Sequence, residues 1–148
     1  MPPIPEVKRS SLVKPTQQTR FHIDFAWWGE KDRDWRVYLQ SLLCPQHQAA
    51  IAEMPADALV DFVDPLTAEV QQVDGLQHVL ITHCAREPEF ITAHTTLVDA
   101  VFRTFLANGN TPMTPMELST QLNRPPDLIL RTLTGERVYR GLRPKSEP

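Results

Sequence analysis

The apolar positions of this chain fall into short runs separated by prolines and glycines. Phe21, Ile23 and Phe25 alternate with polar residues, which is the period of a short strand. From Glu30 to Leu43 the period changes to a helical one. Trp35, Leu39 and Leu42 share a face there, with Asp32 and Asp34 near the start, where the helix dipole favours anions. Pro45 opens a new element, because proline is tolerated in a first helical turn. Gln46–Met54 then reads as a short helix, and after Pro55 the stretch Ala56–Val63 reads as another. Residues 64–70 fit two readings, a helical linker or the turn of a small hairpin between Phe62-Val63 and Val70–Val73. Gly75–Arg86 predicts a helix with Leu76, Val79, Leu80 and His83 on one face. Thr95–Ala107 carries the clearest amphipathic stripe, Leu97, Val98, Val101, Phe102 and Phe105. Asn108-Gly109-Asn110 supplies its C-terminal stop.

The pattern is sharpest after residue 110. Thr114-Pro115-Met116-Glu117 has the Thr-x-x-Glu form of a capping box, in which the hydroxyl caps the third helical amide and the carboxylate reaches back. Pro115 suits the first helical position. Met116, Leu118 and Leu122 mark the buried side. Pro125 then forces Arg124 out of helical geometry and makes a sharp turn. A second helix is predicted over Pro126–Leu133, with Leu128, Ile129 and Leu133 inward and Gly135 closing it. Arg137–Arg143 alternates basic and apolar residues, as a strand or wing would, with Arg137, Arg140 and Arg143 outward.

Those residues, TPMELSTQLNRPPDLILRTL followed by RVYRGLRP, make Leu97–Arg143 resemble the helix-turn-helix and winged-helix families of bacterial DNA-binding proteins. The resemblance covers about a third of the chain. It implies that Pro126–Leu133 lies in the major groove. It also implies that Arg124, Arg131, Arg137, Arg140 and Arg143 contact phosphates. The chain departs from the families in a short second helix that opens on two prolines. Its outward polar residues are only Asp127, Arg131 and Thr132, and Asp127 repels phosphate. A unit of this shape also serves purely as a protein-packing module, since fold does not dictate function.

Charge supports the division of the chain. Residues 1–20 carry four basic and one acidic side chain, residues 21–110 five and thirteen, and residues 111–148 six and four. Two basic ends around an acidic middle suit an anionic partner at the ends. The overall net charge of −3 argues against sequence-blind nucleic-acid binding by the whole chain. The 148 residues suit one domain, or one domain with a small appended module. No run approaches the ~20 apolar residues of a membrane span. Met1-Pro-Pro-Ile-Pro lacks a signal-peptide core, so a cytoplasmic location is expected.

Both cysteines lie beside histidines. Cys44-Pro-Gln-His47 lets one helical turn present two ligands to one ion, and His83-Cys84 supplies an adjacent pair. Two sulfurs and two imidazoles form the tetrahedral set that structural zinc prefers. His78 is a weaker ligand choice on the opposite face, and His22 and His94 are substitutes. The competing reading makes Cys44 and Cys84 small buried hydrophobes, with His47 and His83 as ordinary capping or core residues. A disulfide between them is disfavoured in a reducing compartment. A Cys-His catalytic pair lacks any accompanying nucleophile signature. No glycine-rich phosphate loop, His-Glu-x-x-His motif or serine elbow occurs. Asp57, Asp61, Asp64 and Asp74 read as helix caps and solvated positions. Trp27-Trp28 is an anchor for the core or for a protein partner.

The sequence therefore predicts a mainly α protein. Residues 1–20 form a flexible basic tail and 21–94 a helical domain, zinc-stapled and with a minor hairpin. Residues 95–143 form a helix-turn-helix-like module and 144–148 a second tail. The expected function is that of a small non-enzymatic DNA-binding or transcription-associated protein. The alternative is an interaction adaptor that binds a larger complex through Trp27, Trp28 and the acidic middle, without nucleic-acid contact.

Overall fold

The computed structural model of the protein describes residues 14–52, 59–63 and 66–145. The expected tail residues 1–13 and 146–148 lie outside them, as do residues 53–58, Asp64 and Pro65. In chain order the elements are β1 (Phe21–Ile23), α1 (Phe25–Lys31), α2 (Trp35–Ser41), α3 (Pro45–Ala52), β2 (Leu59–Val63), β3 (Val70–Asp74) and α4 (Gly75–Thr82). A 3-10 turn (Cys84–Arg86) follows, then α5 (Leu97–Ala107), α6 (Pro115–Leu122), α7 (Pro126–Leu133) and β4 (Leu142–Pro144). The fold is mainly helical with two separate two-stranded sheets. No described helix is long and apolar enough to cross a membrane.

Local chemistry explains most boundaries. Asp24 ends β1 and caps α1, its carboxylate accepting the Trp27 N–H at 3.0 Å. The helix expected over Glu30–Leu43 is broken at residues 32–34. There Asp32 accepts the Trp28 indole N–H at 3.2 Å and the Asp34 N–H at 2.9 Å. An aspartate that bonds the backbone two residues on favours a turn over a continued helix. Asp74 caps α4 by accepting the Gln77 N–H at 3.0 Å, so the expected capping role holds at this position. Val63 is not the end of a helix. Leu59–Val63 is β2, paired antiparallel with β3 in the register Leu59↔Asp74 to Val63↔Val70. Of the two readings of residues 64–70, the hairpin is the one adopted. The helix expected to reach Arg86 ends at Thr82, and His83 breaks it at φ −122, ψ −67.

The core is one cluster of buried residues drawn from Phe21 to Leu142. Trp28, 2% exposed, lies at its centre. Its ring meets Trp35, Tyr38 and Phe102 edge-on at centroid distances of 5.8, 6.1 and 5.6 Å. Edge-to-face pairs of this kind contribute about 0.5–1.5 kcal/mol each beyond simple burial. The amphipathic α5 provides the floor, with Val101, Phe102, Phe105 and Leu106 all 0% exposed.

The two ends of the described chain meet. β4 pairs antiparallel with β1 (Phe21↔Pro144, His22↔Arg143, Ile23↔Leu142). Of the strand or wing expected over Arg137–Arg143, only Leu142 and Arg143 are strand, as part of β4, and the residues before them turn through Arg140 and Gly141 at positive φ. Asn110, at φ +62, binds Ile23 on both sides: its amide oxygen accepts the Ile23 N–H at 2.9 Å and its amide N–H donates to the Ile23 carbonyl at 2.8 Å. Backbone bonds also tie residues 17, 20 and 145, which were expected in the tails, to the body of the fold. The Lys145 N–H donates to the Arg20 carbonyl at 2.7 Å, and the Met116 N–H to the Gln17 carbonyl at 3.3 Å.

Candidate metal centre and candidate nucleic-acid interface

The candidate metal-binding group is built at two helix ends. Leu42 and Leu43 bury the chain just after α2, and Cys44 immediately precedes α3. Its carbonyl accepts the His47 N–H at 3.0 Å and the Gln48 N–H at 2.9 Å, so the first turn of α3 holds Cys44 and His47 on one side. Cys84 opens the 3-10 turn beyond α4 and is 1% exposed. What brings the two ends together is the contact of α2 with α4. Arg36 on α2 forms an ion pair with Asp74, the residue that caps α4, and both side chains are mostly shielded from water.

The resulting geometry suits a tetrahedral ion. Cys84 Sγ lies 3.6 Å from Cys44 Sγ. A zinc ion with Zn–S near 2.3 Å spaces its sulfurs about 3.8 Å apart, so the two thiols already sit at the edge length of the site. Cys44 Sγ contacts His47 Nδ1 at 2.9 Å, a hydrogen bond that a metal ion would replace. The ligand atoms of Cys44, His47 and Cys84 all lie within 4.8 Å of one another, close enough to hold a metal ion. Burial pushes the Cys84 thiol up from its ordinary pKa; a backbone hydrogen bond with Cys44 opposes this, and the Cys44 side chain adds to it.

Of the four expected ligands, three converge and His83 does not join them. Its ring is exposed and lies against the His47 ring, centroids 4.7 Å apart at 41°. His22 is on β1 and His94 lies in the loop before α5, and neither belongs to the cluster.

The C-terminal unit has the anticipated caps. Thr114 Oγ1 accepts the Glu117 N–H at 3.1 Å, and the Glu117 carboxylate accepts the Thr114 N–H at 2.9 Å. Asn123 ends α6 in the left-handed conformation (φ +56, ψ +47), and Ser119 Oγ donates to the Arg124 carbonyl at 2.6 Å across the turn. Ile129 and Leu133 of α7 face the core. The Asp127 carboxylate accepts a hydrogen bond from the Gln17 side chain, which ties the segment before β1 to the start of α7.

The five arginines proposed for phosphate divide into two groups. Arg124, Arg131 and Arg137 are exposed, and their guanidinium groups make no ion pair or hydrogen bond among the described residues. Arg140 and Arg143 have other roles. The Arg140 guanidinium lies 3.5 Å over the Tyr38 ring and 5.0 Å from the Tyr139 centroid. Arg143 pairs with Asp24 at 3.0 Å and covers the Trp27 ring at 4.9 Å. Both are held by the closure of β4 onto β1. Of the tryptophan pair, Trp28 is buried in the core, the core-anchor half of the expectation, and Trp27 is half-buried with the Arg143 guanidinium 4.9 Å from its ring.

A constellation without a local sequence signal anchors this closure. The Asp99 carboxylate on α5 accepts hydrogen bonds from the Tyr139 and Tyr38 hydroxyls. Burial pushes the Tyr38 phenol well above its ordinary pKa, and the nearby Tyr139 adds to the effect. Three segments separated widely in sequence meet here, so no spacing in the chain announces it. The Arg36–Asp74 pair had a partial signal, because Asp74 stands directly before a helix-opening glycine. Comparison with known proteins finds no matching family, curated protein or solved structure.

Proposed function

We propose that this protein is a small non-enzymatic nucleic-acid-binding protein that grips the phosphate backbone of duplex DNA through its α6–α7 unit, with zinc at Cys44, His47 and Cys84 as a structural ion. The observation that carries the reading is the set of three exposed arginines, Arg124, Arg131 and Arg137, which have no ion pair or hydrogen bond among the described residues and border the capping-box helix α6 and the proline-led α7. Free guanidinium groups displace condensed counterions from DNA, and among the described residues no carboxylate pairs with these three. The Gln17 contact draws Asp127, the one acidic residue in the first turn of α7, into an internal bond. Contacts of this class position a protein on DNA and read little sequence.

The test is fluorescence anisotropy with a labelled duplex over a salt series. Affinity is expected to fall with salt at a log–log slope of about −2.7 for three phosphate contacts, and Arg131→Ala with Arg137→Ala is expected to reduce that slope by about 2. Absence of binding at low salt, or an unchanged slope in the double variant, overturns the reading.

The adaptor reading has one specific observation behind it. The β2–β3 hairpin exposes Leu59 (58%), Val63 (55%), Leu66 (94%) and Val70 (60%). Exposed apolar residues grouped on one element mark protein-contact surfaces. Salt-independent capture of a defined protein that Val63→Asp abolishes, with no anisotropy change on DNA, favours this second reading.

A further inference from the structure

We propose that His83 is the fourth ligand of a closed, tetrahedral zinc site, and that it swings from its stacked position on His47 to complete the coordination sphere. This rests on the zinc reading above and deepens it. Three protein ligands leave one position of a tetrahedron to be filled, by water in a catalytic site or by a fourth side chain in a structural one. The cluster is layered. Cys84 forms its buried floor, Cys44 and His47 are half-buried, and the exposed His83 ring lies over His47.

His83 is also the freest of the nearby imidazoles. Its backbone is fixed, with its N–H donating to the Val79 carbonyl at 2.9 Å and its carbonyl accepting the Arg86 N–H at 3.1 Å. Its side chain makes no hydrogen bond among the described residues, and its ring contact is the one with His47. Because the backbone departs from helical geometry at His83, consecutive residues need not point a helical turn apart. Two thiolates and two neutral imidazoles around a divalent cation give a neutral centre, which lowers the cost of leaving Cys84 buried. Such a soft-and-intermediate N/S set in tetrahedral arrangement is the one zinc occupies.

Cobalt(II) is the probe, because its visible absorption reports ligand number and sulfur content. The reduced full-length protein is titrated with Co(II) and then competed with Zn(II). Wild type is expected to give a single saturating tetrahedral spectrum. His83→Ala is expected to weaken Co(II) binding by about 100-fold or more, since even the loss of a residue behind a ligand costs about 10–100-fold. Free imidazole added to His83→Ala is expected to restore the wild-type spectrum by filling the vacated position. His94→Ala, a distant exposed imidazole, is expected to bind as wild type does. If His83→Ala matches wild type in affinity and spectrum while Cys44→Ala does not, the His83 assignment is overturned and the zinc reading stands. If wild type takes up no Co(II), or Cys44→Ala binds as wild type does, the zinc reading itself fails and the proposal falls with it. Far-UV circular dichroism of each apo variant confirms that the fold is retained.

Discussion

Gly141 sets the join between the two ends of the chain, and alanine at this position tests that join. Its φ is +80, a region that L residues rarely adopt. An added Cβ would stand 3.0 Å from the Asp24 carbonyl oxygen and 3.0 Å from Trp28 Cβ. Neither neighbour can yield easily. The Asp24 N–H donates to the Gly141 carbonyl at 2.7 Å, and the Asp24 carbonyl accepts the Trp28 N–H at 3.0 Å to start α1. The left-handed backbone alone costs an L residue about 1–2 kcal/mol. Overpacking against fixed neighbours adds about 1–3 kcal/mol. Gly141→Ala is therefore expected to lose about 2–5 kcal/mol, a large part of the roughly 5–15 kcal/mol that holds a domain folded. Two other glycines separate the contributions. Gly109 has φ +74 with nothing within 4 Å of an added Cβ, so Gly109→Ala is expected to cost only the backbone share, about 1–2 kcal/mol. Gly135 has open space and no positive φ, and Gly135→Ala is expected to stabilise by about 0.4–1 kcal/mol. Urea denaturation of the three variants reads the order directly, provided their slopes agree. If Gly141→Ala and Gly109→Ala unfold at the same midpoint, the approach of Gly141 to Asp24 and Trp28 carries no energy and the argument for a tight join is wrong.

Two further outcomes follow from the same geometry. Thr114→Ala removes half of the capping box and is expected to cost about 1 kcal/mol, whereas Thr114→Ser keeps the hydroxyl and most of the stability; equal midpoints for the two variants would remove the cap from the account. His22 is held below its ordinary pKa of 6.5, first by burial and then by Lys145, so the folded state disfavours its protonated form. Its stabilising share is present above pH 6.5 and is lost as pH falls through the lowered folded value, and His22→Gln is expected to flatten urea midpoints over that acid window.

The features legible in the sequence were those decided within one helical turn. Thr114 and Glu117 stand three residues apart and form the box their spacing implies. Cys44 and His47 converge because one turn after a proline leaves them little choice. Features decided by a distant partner were not legible. The β-branched residues of Leu59–Val63 suit a strand, yet whether they form one depends on Val70–Asp74 lying beyond a turn. The alternation in Arg137–Arg143 suggests a strand, yet the chain turns at Arg140 and Gly141, both at positive φ, and nothing local states that Leu142–Pro144 will pair with Phe21–Ile23. Trp27 and Trp28 look equivalent in sequence. The Asp24 cap sets the phase of α1, and that phase sends Trp28 inward and leaves Trp27 under Arg143.

The closure of β4 onto β1 also limits the proposed function. Arg140 lies on Tyr38 and Arg143 pairs with Asp24, so the arginines that stabilise the join are withdrawn from any external phosphate. Arg124, Arg131 and Arg137 are left for DNA. Three phosphate contacts correspond to a log–log salt slope near −2.7, far shallower than a protein making 6–10 contacts. One copy of this chain, acting through those residues alone, is therefore expected to hold DNA weakly and without reading its bases. The exposed apolar hairpin β2–β3 then becomes relevant to the same function, because a partner bound there would add its own contacts to the DNA and raise the combined affinity through effective concentration. On this view the nucleic-acid and adaptor readings describe two faces of one molecule, and Val63→Asp should weaken DNA retention by the assembled complex while leaving the isolated chain unchanged.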